Sequence, residues 1–306
     1  MDFGGIIALA ASPRKTITST GIFAKPVRSG KESTVQSTKT ILDAHVHFHE
    51  CFDISNFLDQ AYSNFSTQIS ADSSCQEFSA ALLLTESYGT DWFRTLRQSA
   101  GPDENFPWRD WRIRLNDEDE SVTAISRTGQ TISIVAGRQI VTAERLEILA
   151  LGLNAEVKDG LPIEQVIAAV QEKEAICVLP WGFGKWTGQR GKVVHDILDS
   201  DVKTNFFIGD NAGRLALWPA PPEFAAAAAK NIRILPGSDP LPYAEQVGSV
   251  ARFGFMMDGG LDEQQPFRDI RQKLLLEDTK IEAYGPLERL MPFIKYQVAM
   301  QLRKFS

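Results

Sequence analysis

The sequence predicts an α/β protein, an irregular (β/α) barrel of about seven strands with a β-hairpin insertion. Apolar segments of strand length alternate with segments of helical periodicity through the second half of the chain. Repeated βα units of this kind indicate a parallel sheet covered by helices. The length of 306 residues and the hydrophobic content of 43% suffice for one such domain. About seven strands fit a closed barrel better than an open sheet.

Each expected element follows from local patterning. The first strand is 41–47, whose residues alternate between two faces. Asp53 is placed to cap a helix over 53–65, and 80–84 is an apolar strand. A hairpin and a second strand pair follow, and helices and strands then alternate. The remaining expected strands are 122–126, 131–135, 139–142, 146–151, 176–179, 205–208 and 232–235, and the remaining helices are 162–173, 193–198, 223–231, 264–276 and 286–304.

The chain divides into a polar beginning and one folded domain. Residues 1–39 are rich in Ser and Thr and carry a net positive charge, so we expect a flexible arm there. The alternative, an organelle-targeting leader, is disfavoured by the acidic residues present and by the lack of an obvious amphipathic helix. Residues 40–306 form the expected single α/β-barrel domain.

Composition limits the partners and the compartment. The net charge of −7 without a basic cluster argues against nucleic acid as the main partner, whereas an anionic small-molecule substrate stays compatible with it. Cys51, Cys75 and Cys177 are too widely spaced for a zinc ribbon or a disulfide framework. No apolar stretch has the length of a membrane span. We therefore expect a cytoplasmic protein without a membrane partner.

Two histidines at the end of the first strand are the first candidates for chemistry. His45 and His47 are two residues apart, so a strand presents both on one face, where both rings can reach a single ion. The sequence contains four histidines, and His49 belongs to the same short segment. A hydrogen-bonded polar strand end is the alternative interpretation. His49 follows the strand and fits a supporting role better than that of a ligand.

Asp239 is the candidate carboxylate. It follows the apolar strand that ends at Leu235, after a turn through Gly237. Catalytic groups of barrel enzymes lie at the carboxyl ends of the strands, and closure of the barrel would bring the last strand beside the first. Asp239 would then be a neighbour of both histidines. The alternative is that Asp239 only caps the following turn.

The order of these motifs resembles the polymerase-and-histidinol-phosphatase (PHP) family of metal-dependent phosphoesterases. Asp43–His47 is similar to that family's first metal motif, and Pro236–Asp239 stands at its Gly-Ser-Asp-x-His motif. Leu84–Ser87 and Gly137–Ile140 stand, more loosely, at its Thr-Asp-His and Gly-x-Glu-Ile motifs. The resemblance covers roughly residues 41–255 and implies metal-dependent hydrolysis of phosphoesters.

Departures from the family pattern reduce the number of metals expected. Ser87 stands where the family has a ligand histidine, Gln139 where it has a bridging glutamate, and Leu241 where it has its last histidine. Leu179–Gly182 replaces a His-Pro motif. The ligands that remain suit one divalent ion, zinc, manganese or iron. The predicted ligands are His45, His47, Asp239 and Glu86.

A glycine-rich segment after the strand at 176–179 supplies candidate substrate contacts. Its glycines allow close backbone approach, and its cations could hold an anion. A flexible lid with a salt-bridged lysine explains the same pattern. Arg214 follows another strand, and its neighbours Asp210 and Asn211 could orient metal ligands by hydrogen bonding. The predicted substrate-binding residues are Arg138, Lys185, Arg190, Arg214 and Trp181.

The leading hypothesis is a metal-dependent, phosphoesterase-like hydrolase. A bound ion would lower the pKa of its water and present hydroxide to the substrate. The predicted catalytic residues are Asp239, His47 and Lys185, with Asp239 acting as a metal ligand or as general base. The rival hypothesis is a catalytically degenerate PHP-like barrel that binds a ligand or a partner, and the missing family ligands favour it.

Overall fold

A computed structural model describes residues 37–71, 75–102, 106–200 and 205–303. These ranges contain twelve strands, seven α-helices and a short 3₁₀ helix. The strands are β1 (Ser37–Val46), β2 (Cys75–Leu84), β3 (Trp111–Leu115), β4 (Ser121–Ser126), β5 (Thr131–Val135), β6 (Gly137–Val141), β7 (Glu147–Leu151), β8 (Ile176–Pro180), β9 (Phe206–Asn211), β10 (Ile234–Gly237), β11 (Gly254–Asp258) and β12 (Glu282–Tyr284). The helices are α1 (Ile54–Ser70), α2 (Trp92–Gln98), α3 (Ile163–Glu172), α4 (Gly188–Asp199), α5 (Pro222–Ala228), the 3₁₀ helix Ala244–Ser249, α6 (Pro266–Leu275) and α7 (Leu290–Arg303).

The strands form two mixed sheets, so the prediction of a closed (β/α) barrel was wrong. One sheet has seven strands in the order β12-β11-β1-β2-β5-β4-β3, and the other has five in the order β10-β9-β8-β7-β6. Antiparallel pairs account for the difference: β11 pairs antiparallel with β1, β4 with β3 and β5, and β7 with both β6 and β8. The described residues therefore form twelve strands in two sheets, where about seven strands in one barrel were expected.

Isolated backbone hydrogen bonds link the two sheets near the carboxyl ends of β1 and β2. The amide of Asp239 donates to the carbonyl oxygen of His45 at 2.8 Å, which ties the end of β10 to β1. The amide of Gln139 donates to the carbonyl oxygen of Glu86 at 2.9 Å, and that of Glu86 donates to Gly137 at 3.0 Å. The candidate residues after β1, β2 and β10 are therefore brought to one edge of the fold.

Apolar strand residues fill the space where the two sheets meet. Leu42, Leu83 and Phe255 come from the seven-stranded sheet, and Leu149 and Val178 come from the five-stranded sheet; all five are buried in one cluster. Separate clusters lie beneath the helices on the other side of each sheet. Both sheets are thus packed on two faces, which explains why their strands read as nearly continuous apolar runs.

Helix α1 shows how local sequence signals carry through to packing. The side chain of Asp53 accepts a hydrogen bond from the amide of Asn56 at 2.9 Å, so its prediction as the N-cap is confirmed. The helix buries Phe57, Leu58 and Phe65 against the sheet. It extends to Ser70, beyond the expected end at residue 65.

The expected arm lies mostly outside the described residues. Residues 1–36 lie outside the described residues, whereas residues 37–39 belong to β1. The assignment of a flexible arm stays a prediction. Among the residues that the structure describes, no helix combines the length and the apolar character needed to cross a membrane.

Gly237 offers a test of the contact that joins β10 to β1. A Cβ at this position would lie 2.4 Å from both the Cβ and the backbone nitrogen of His45, and neither atom can move without disturbing β1. Gly237→Ala should lower the free energy of unfolding by about 1–3 kcal/mol because it overpacks this junction. Chemical denaturation measures the effect. Gly248→Ala is the control, because its nearest neighbour would be the side chain of Gln60 at 3.9 Å. Equal stability of the two variants would contradict this account of the junction.

Candidate metal centre

His45, His47 and Asp239 form a compact triad. The Nε2 atoms of the two histidines lie 3.2 Å apart, and Oδ1 of Asp239 lies 3.5 Å from Nε2 of His45 and 3.6 Å from Nε2 of His47. One ligand atom from each residue lies within 4.8 Å of the other two, and both histidines are buried. Two imidazole nitrogens and a carboxylate oxygen at this spacing could hold a divalent ion.

The pKa shifts of His47 and Asp239 favour metal binding. Burial and the neighbouring His45 lower the pKa of His47 to about 3, so its imidazole is neutral at physiological pH. Burial alone would raise the pKa of Asp239, but its interactions with His45, His47 and Lys185 and the hydrogen bond from Asn211 outweigh burial and hold this pKa below its usual value. A neutral imidazole and an ionised carboxylate are the forms that bind metals.

Asp43 fixes the backbone on which the triad stands. Its Oδ1 accepts hydrogen bonds from the amides of His45 at 3.2 Å and Ser238 at 2.8 Å. Its Oδ2 accepts from the hydroxyl of Ser238 and from the amide of Ala251 at 2.8 Å. The side chain is fully buried, and burial raises its pKa to about 6 although all of these hydrogen bonds oppose the rise. One carboxylate therefore joins β1, the turn after β10 and the segment that leads into β11.

Asp239 is oriented from both its backbone and its side chain. Its φ of +46° is uncommon for a residue other than glycine, and the turn is stabilised by the hydrogen bond of its amide to His45. The side-chain amide of Asn211 donates to Oδ2, which leaves Oδ1 facing the histidines. Asn211, which was expected to orient a metal ligand, therefore contacts Asp239, and the role of Asp239 as that ligand stays a prediction.

Three further polar side chains surround the histidines. Oε1 of Gln139 lies 3.3 Å from Nε2 of His45, and Oγ1 of Thr85 lies 3.5 Å from Nε2 of His47. Gln139, which replaces the family's bridging glutamate, therefore still contacts the cluster. Nε2 of His49 lies 2.8 Å from the carbonyl oxygen of Pro240, and its ring stacks on that of His47, so it supports the triad from outside.

Glu86 lies outside the triad, although it was predicted as a ligand. One oxygen accepts hydrogen bonds from the amides of Trp92 and Phe93 at the beginning of α2. The other lies 3.5 Å from the guanidinium of Arg138. Burial raises the pKa of Glu86 even though the charge of Arg138 opposes the rise.

Arg138, a predicted substrate contact, is buried and already forms hydrogen bonds and ion pairs within the protein. It donates to the carbonyl oxygen of Thr90 at 2.6 Å and to the carboxylate of Asp91 at 3.2 Å, besides facing Glu86. These contacts anchor α2 to β6. Arg138 is not among the residues that line the cavity beside the triad.

A cavity of about 330 Å³ opens beside the triad. His45 and Asp239 form part of its wall, and two of the predicted substrate contacts, Trp181 and Lys185, line it as well. Nζ of Lys185 forms an ion pair with Glu147, another residue of the wall. The volume lies at the lower end of the range of ligand-binding pockets.

The other two predicted substrate contacts point elsewhere. Arg214 makes a two-pronged ion pair with Asp210, with donor–acceptor distances of 2.9 and 2.8 Å, and it is buried. Arg190 donates to the carbonyl oxygen of Gly184 at 2.8 Å and so stabilises the glycine-rich loop. His195 lies on α4, 3.7 Å from Glu223 and away from the triad.

Part of the cavity wall comes from residues that the sequence analysis did not select. Arg252 follows the segment bound by Asp43, while Phe293 and Tyr296 belong to α7. Phe293 contacts the rings of Phe183 and Trp218, which hold α7 over the loops at the carboxyl ends of β8 and β9. A helix was expected at 286–304, but nothing in the sequence showed which surface it would cover.

Comparison with known proteins identifies structural neighbours only. No protein-family model matches the chain, and no curated protein matches it in sequence. The crystal structure of PsfC from Pseudomonas syringae PB-5123 has a TM-score of 0.50 at 15% identity, over 88% of this chain and 100% of PsfC. The lesion-specific endonuclease PfuEndoQ from Pyrococcus furiosus has a TM-score of 0.48 at 12% identity, over 81% of this chain and 59% of the enzyme. A complex of endonuclease Q with a 27-mer duplex substrate carrying an abasic lesion has a TM-score of 0.41 at 11% identity, over 80% of this chain and 58% of the enzyme.

These likenesses concern the fold. The alignment with PsfC shows a shared architecture, and this chain spans about three fifths of the length of each endonuclease. The comparison therefore shows an architecture shared with PsfC, and this chain carries a candidate His-His-Asp metal site. Membership of the PHP family is not shown.

One expectation about the partner of this chain needs correction. Endonucleases are among the structural neighbours, and one of them was solved with its duplex substrate. The argument from net charge excluded nucleic acid as the main partner and left an anionic small molecule as the expected substrate, and this restriction was wrong. The net charge of −7 describes the whole chain, whereas a partner responds to the local charges of the surface that it meets.

Asp43 provides a test of how the triad is held. Asp43→Asn keeps the size of the side chain but turns one acceptor oxygen into a donor, so at least one buried amide or hydroxyl loses its partner. Such a loss costs about 1–3 kcal/mol for each unsatisfied group. We expect the free energy of unfolding to fall by about that amount or more in chemical denaturation. The exposed Asp278 provides the control Asp278→Asn, which should stay within about 0.5 kcal/mol of the parent. An unchanged stability in Asp43→Asn would show that this carboxylate does not hold the three segments together.

Proposed function

We propose that this chain is a hydrolase that uses one divalent ion, held by His45, His47 and Asp239, to cleave phosphoesters. The observation that carries the proposal is the convergence of two imidazoles and one carboxylate beside an accessible cavity. Three protein ligands with a position left for water are typical of catalytic metal sites, whereas structural sites are closed by a fourth ligand. Zinc, manganese and iron all suit this donor set.

The ion, when bound, would lower the pKa of its water to near neutrality and so supply a nucleophile. The residues of the chain have separate tasks around it. Oδ1 of Asp239 is directed at the site because Asn211 holds the other oxygen. Gln139 faces His45 with an amide, which exchanges hydrogen bonds but is not a base at neutral pH, so Asp239 is the candidate for general base.

The choice of phosphoesters rests on the motifs shared with the PHP family and on the cations of the cavity. Asp43–His47 and Pro236–Asp239 are the two closest motif matches, and they supply all three members of the triad. Lys185 lines the cavity and contributes to the low pKa of Asp239, so its charge acts on the same space as the triad. The rival function, a degenerate fold that only binds a ligand or partner, makes no use of a metal.

Metal analysis separates the two functions. We expect the purified protein, reconstituted with zinc, manganese or iron, to bind one ion per chain and to hydrolyse para-nitrophenyl phosphate or its diester. His45→Ala should lose both the ion and the activity, because two remaining ligands hold a metal weakly. His195→Ala is the matched control, since its ring lies away from the triad, and it should keep both. Two or more tightly bound ions, or an ion retained by His45→Ala, would refute the single-site proposal.

Lys185 yields a second test, designed around its ion pair with Glu147. Lys185→Ala should raise the KM for a phosphoester about ten- to a hundredfold, since a charge-assisted hydrogen bond to substrate contributes about 1.5–3 kcal/mol. The single variant also leaves Glu147 unpaired in the cavity, where its charge repels an anion. The double variant Lys185→Ala/Glu147→Ala removes both charges. A high KM in the double variant supports direct contact, whereas a return to the parent value would mean that Lys185 only neutralises Glu147.

A further inference from the structure

Arg252 is a cation of the cavity wall that no motif indicated. It lines the same cavity as His45 and Asp239, and its side chain is exposed. Within the described parts of the chain, its guanidinium has neither a hydrogen bond nor an ion pair. All of its donors are therefore available to a molecule in the cavity.

The cations predicted from the sequence do not have this freedom. Arg138 is taken up by Glu86, Asp91 and a backbone carbonyl, and Arg214 by Asp210. Arg190 donates to the glycine-rich loop, and Lys185 pairs with Glu147. A substrate anion would have to compete with an existing partner at each of these four residues, and at Arg252 it would not.

The backbone of Arg252 is held in place although its side chain is free. The preceding residue, Ala251, has a φ of +59°, and its amide donates to Asp43, which also binds His45 and Ser238. On the other side, a Cβ at Gly285 would lie 2.0 Å from the carbonyl oxygen of Arg252, so the chain passes there in close contact. The position of Arg252 is thus fixed relative to the triad by the same carboxylate that positions His45.

We propose that Arg252 binds the phosphoryl oxygens of the substrate while the triad holds the metal. The inference rests on the proposed function, because it assigns the orientation of a phosphoester in that site. A guanidinium is planar and always charged, and its fork matches two phosphoryl oxygens, which a lysine cannot do. The phosphoryl group comes either from a terminal phosphate monoester or from an internal phosphodiester of a nucleic-acid strand.

Binding of inorganic phosphate tests this role of Arg252, called the anchor below, without requiring turnover. Isothermal titration, with and without the divalent ion, should show phosphate bound about ten- to a hundredfold more weakly by Arg252→Ala than by the parent. Arg252→Lys should recover only part of the loss, because it restores the charge but not the fork. Arg289→Ala is the control: this exposed arginine lies just before α7 and outside the cavity wall, so its loss should change the affinity little.

Two substrates distinguish the sources of the phosphoryl group. If Arg252 binds a terminal phosphate, Arg252→Ala raises the KM for para-nitrophenyl phosphate and leaves binding of an oligonucleotide without terminal phosphates unchanged. The converse result assigns it to an internal phosphodiester, and either result supports the anchor. The anchor is overturned if the parent and Arg252→Ala do not differ for any of the three probes, if Arg289→Ala weakens phosphate as much as Arg252→Ala, or if the parent binds no phosphate. Metal content, measured in the same samples, shows separately whether the proposed function stands.

Discussion

The buried carboxylate of Asp43 is the interaction on which the rest of the site depends. It accepts hydrogen bonds from its own strand, at His45, and from two segments much later in the chain, at Ser238 and Ala251. Burying a carboxylate costs free energy unless its oxygens accept hydrogen bonds. Movement of any of these segments would remove a donor from the buried carboxylate, so the three segments are held in place. The triad and Arg252 stand on the residues that this carboxylate holds. The chemistry of the site is therefore set by a group that does not face the cavity.

The sequence alone was enough to find the triad. Strand β1 ends at Val46, and the alternation of side chains along it was enough to place His45 and His47 together, although His47 lies just past its end. Asp239 could be placed because it follows a strand end at which a glycine permits a close approach to β1. These signals are local, and strand ends gather at one edge in either a barrel or a pair of sheets, so the error in fold class did not affect them.

The sequence did not reveal the order of the strands in the two sheets. It also did not reveal which carboxylates pair with the arginines. Whether a guanidinium is free depends on carboxylates from distant segments: Arg138 and Arg214 were attractive as isolated residues, but Asp91 and Asp210 had already neutralised them. The sheet order was missed for a similar reason. Strand β11 pairs antiparallel with β1 across most of the chain, and a count of apolar runs does not contain that information.

The charges of the cavity explain why an acidic chain can still bind an anion there. The wall contains the carboxylates of Asp239, Glu147 and Glu288 and the cations of Lys185 and Arg252. Without a metal the carboxylates outnumber the cations by one, so the wall alone would repel a phosphate weakly. A divalent ion on the triad reverses the sign and concentrates the positive charge between Asp239 and the cations. Affinity for an anionic group would then depend on the metal being bound first, and the net charge of the chain would have little bearing on it.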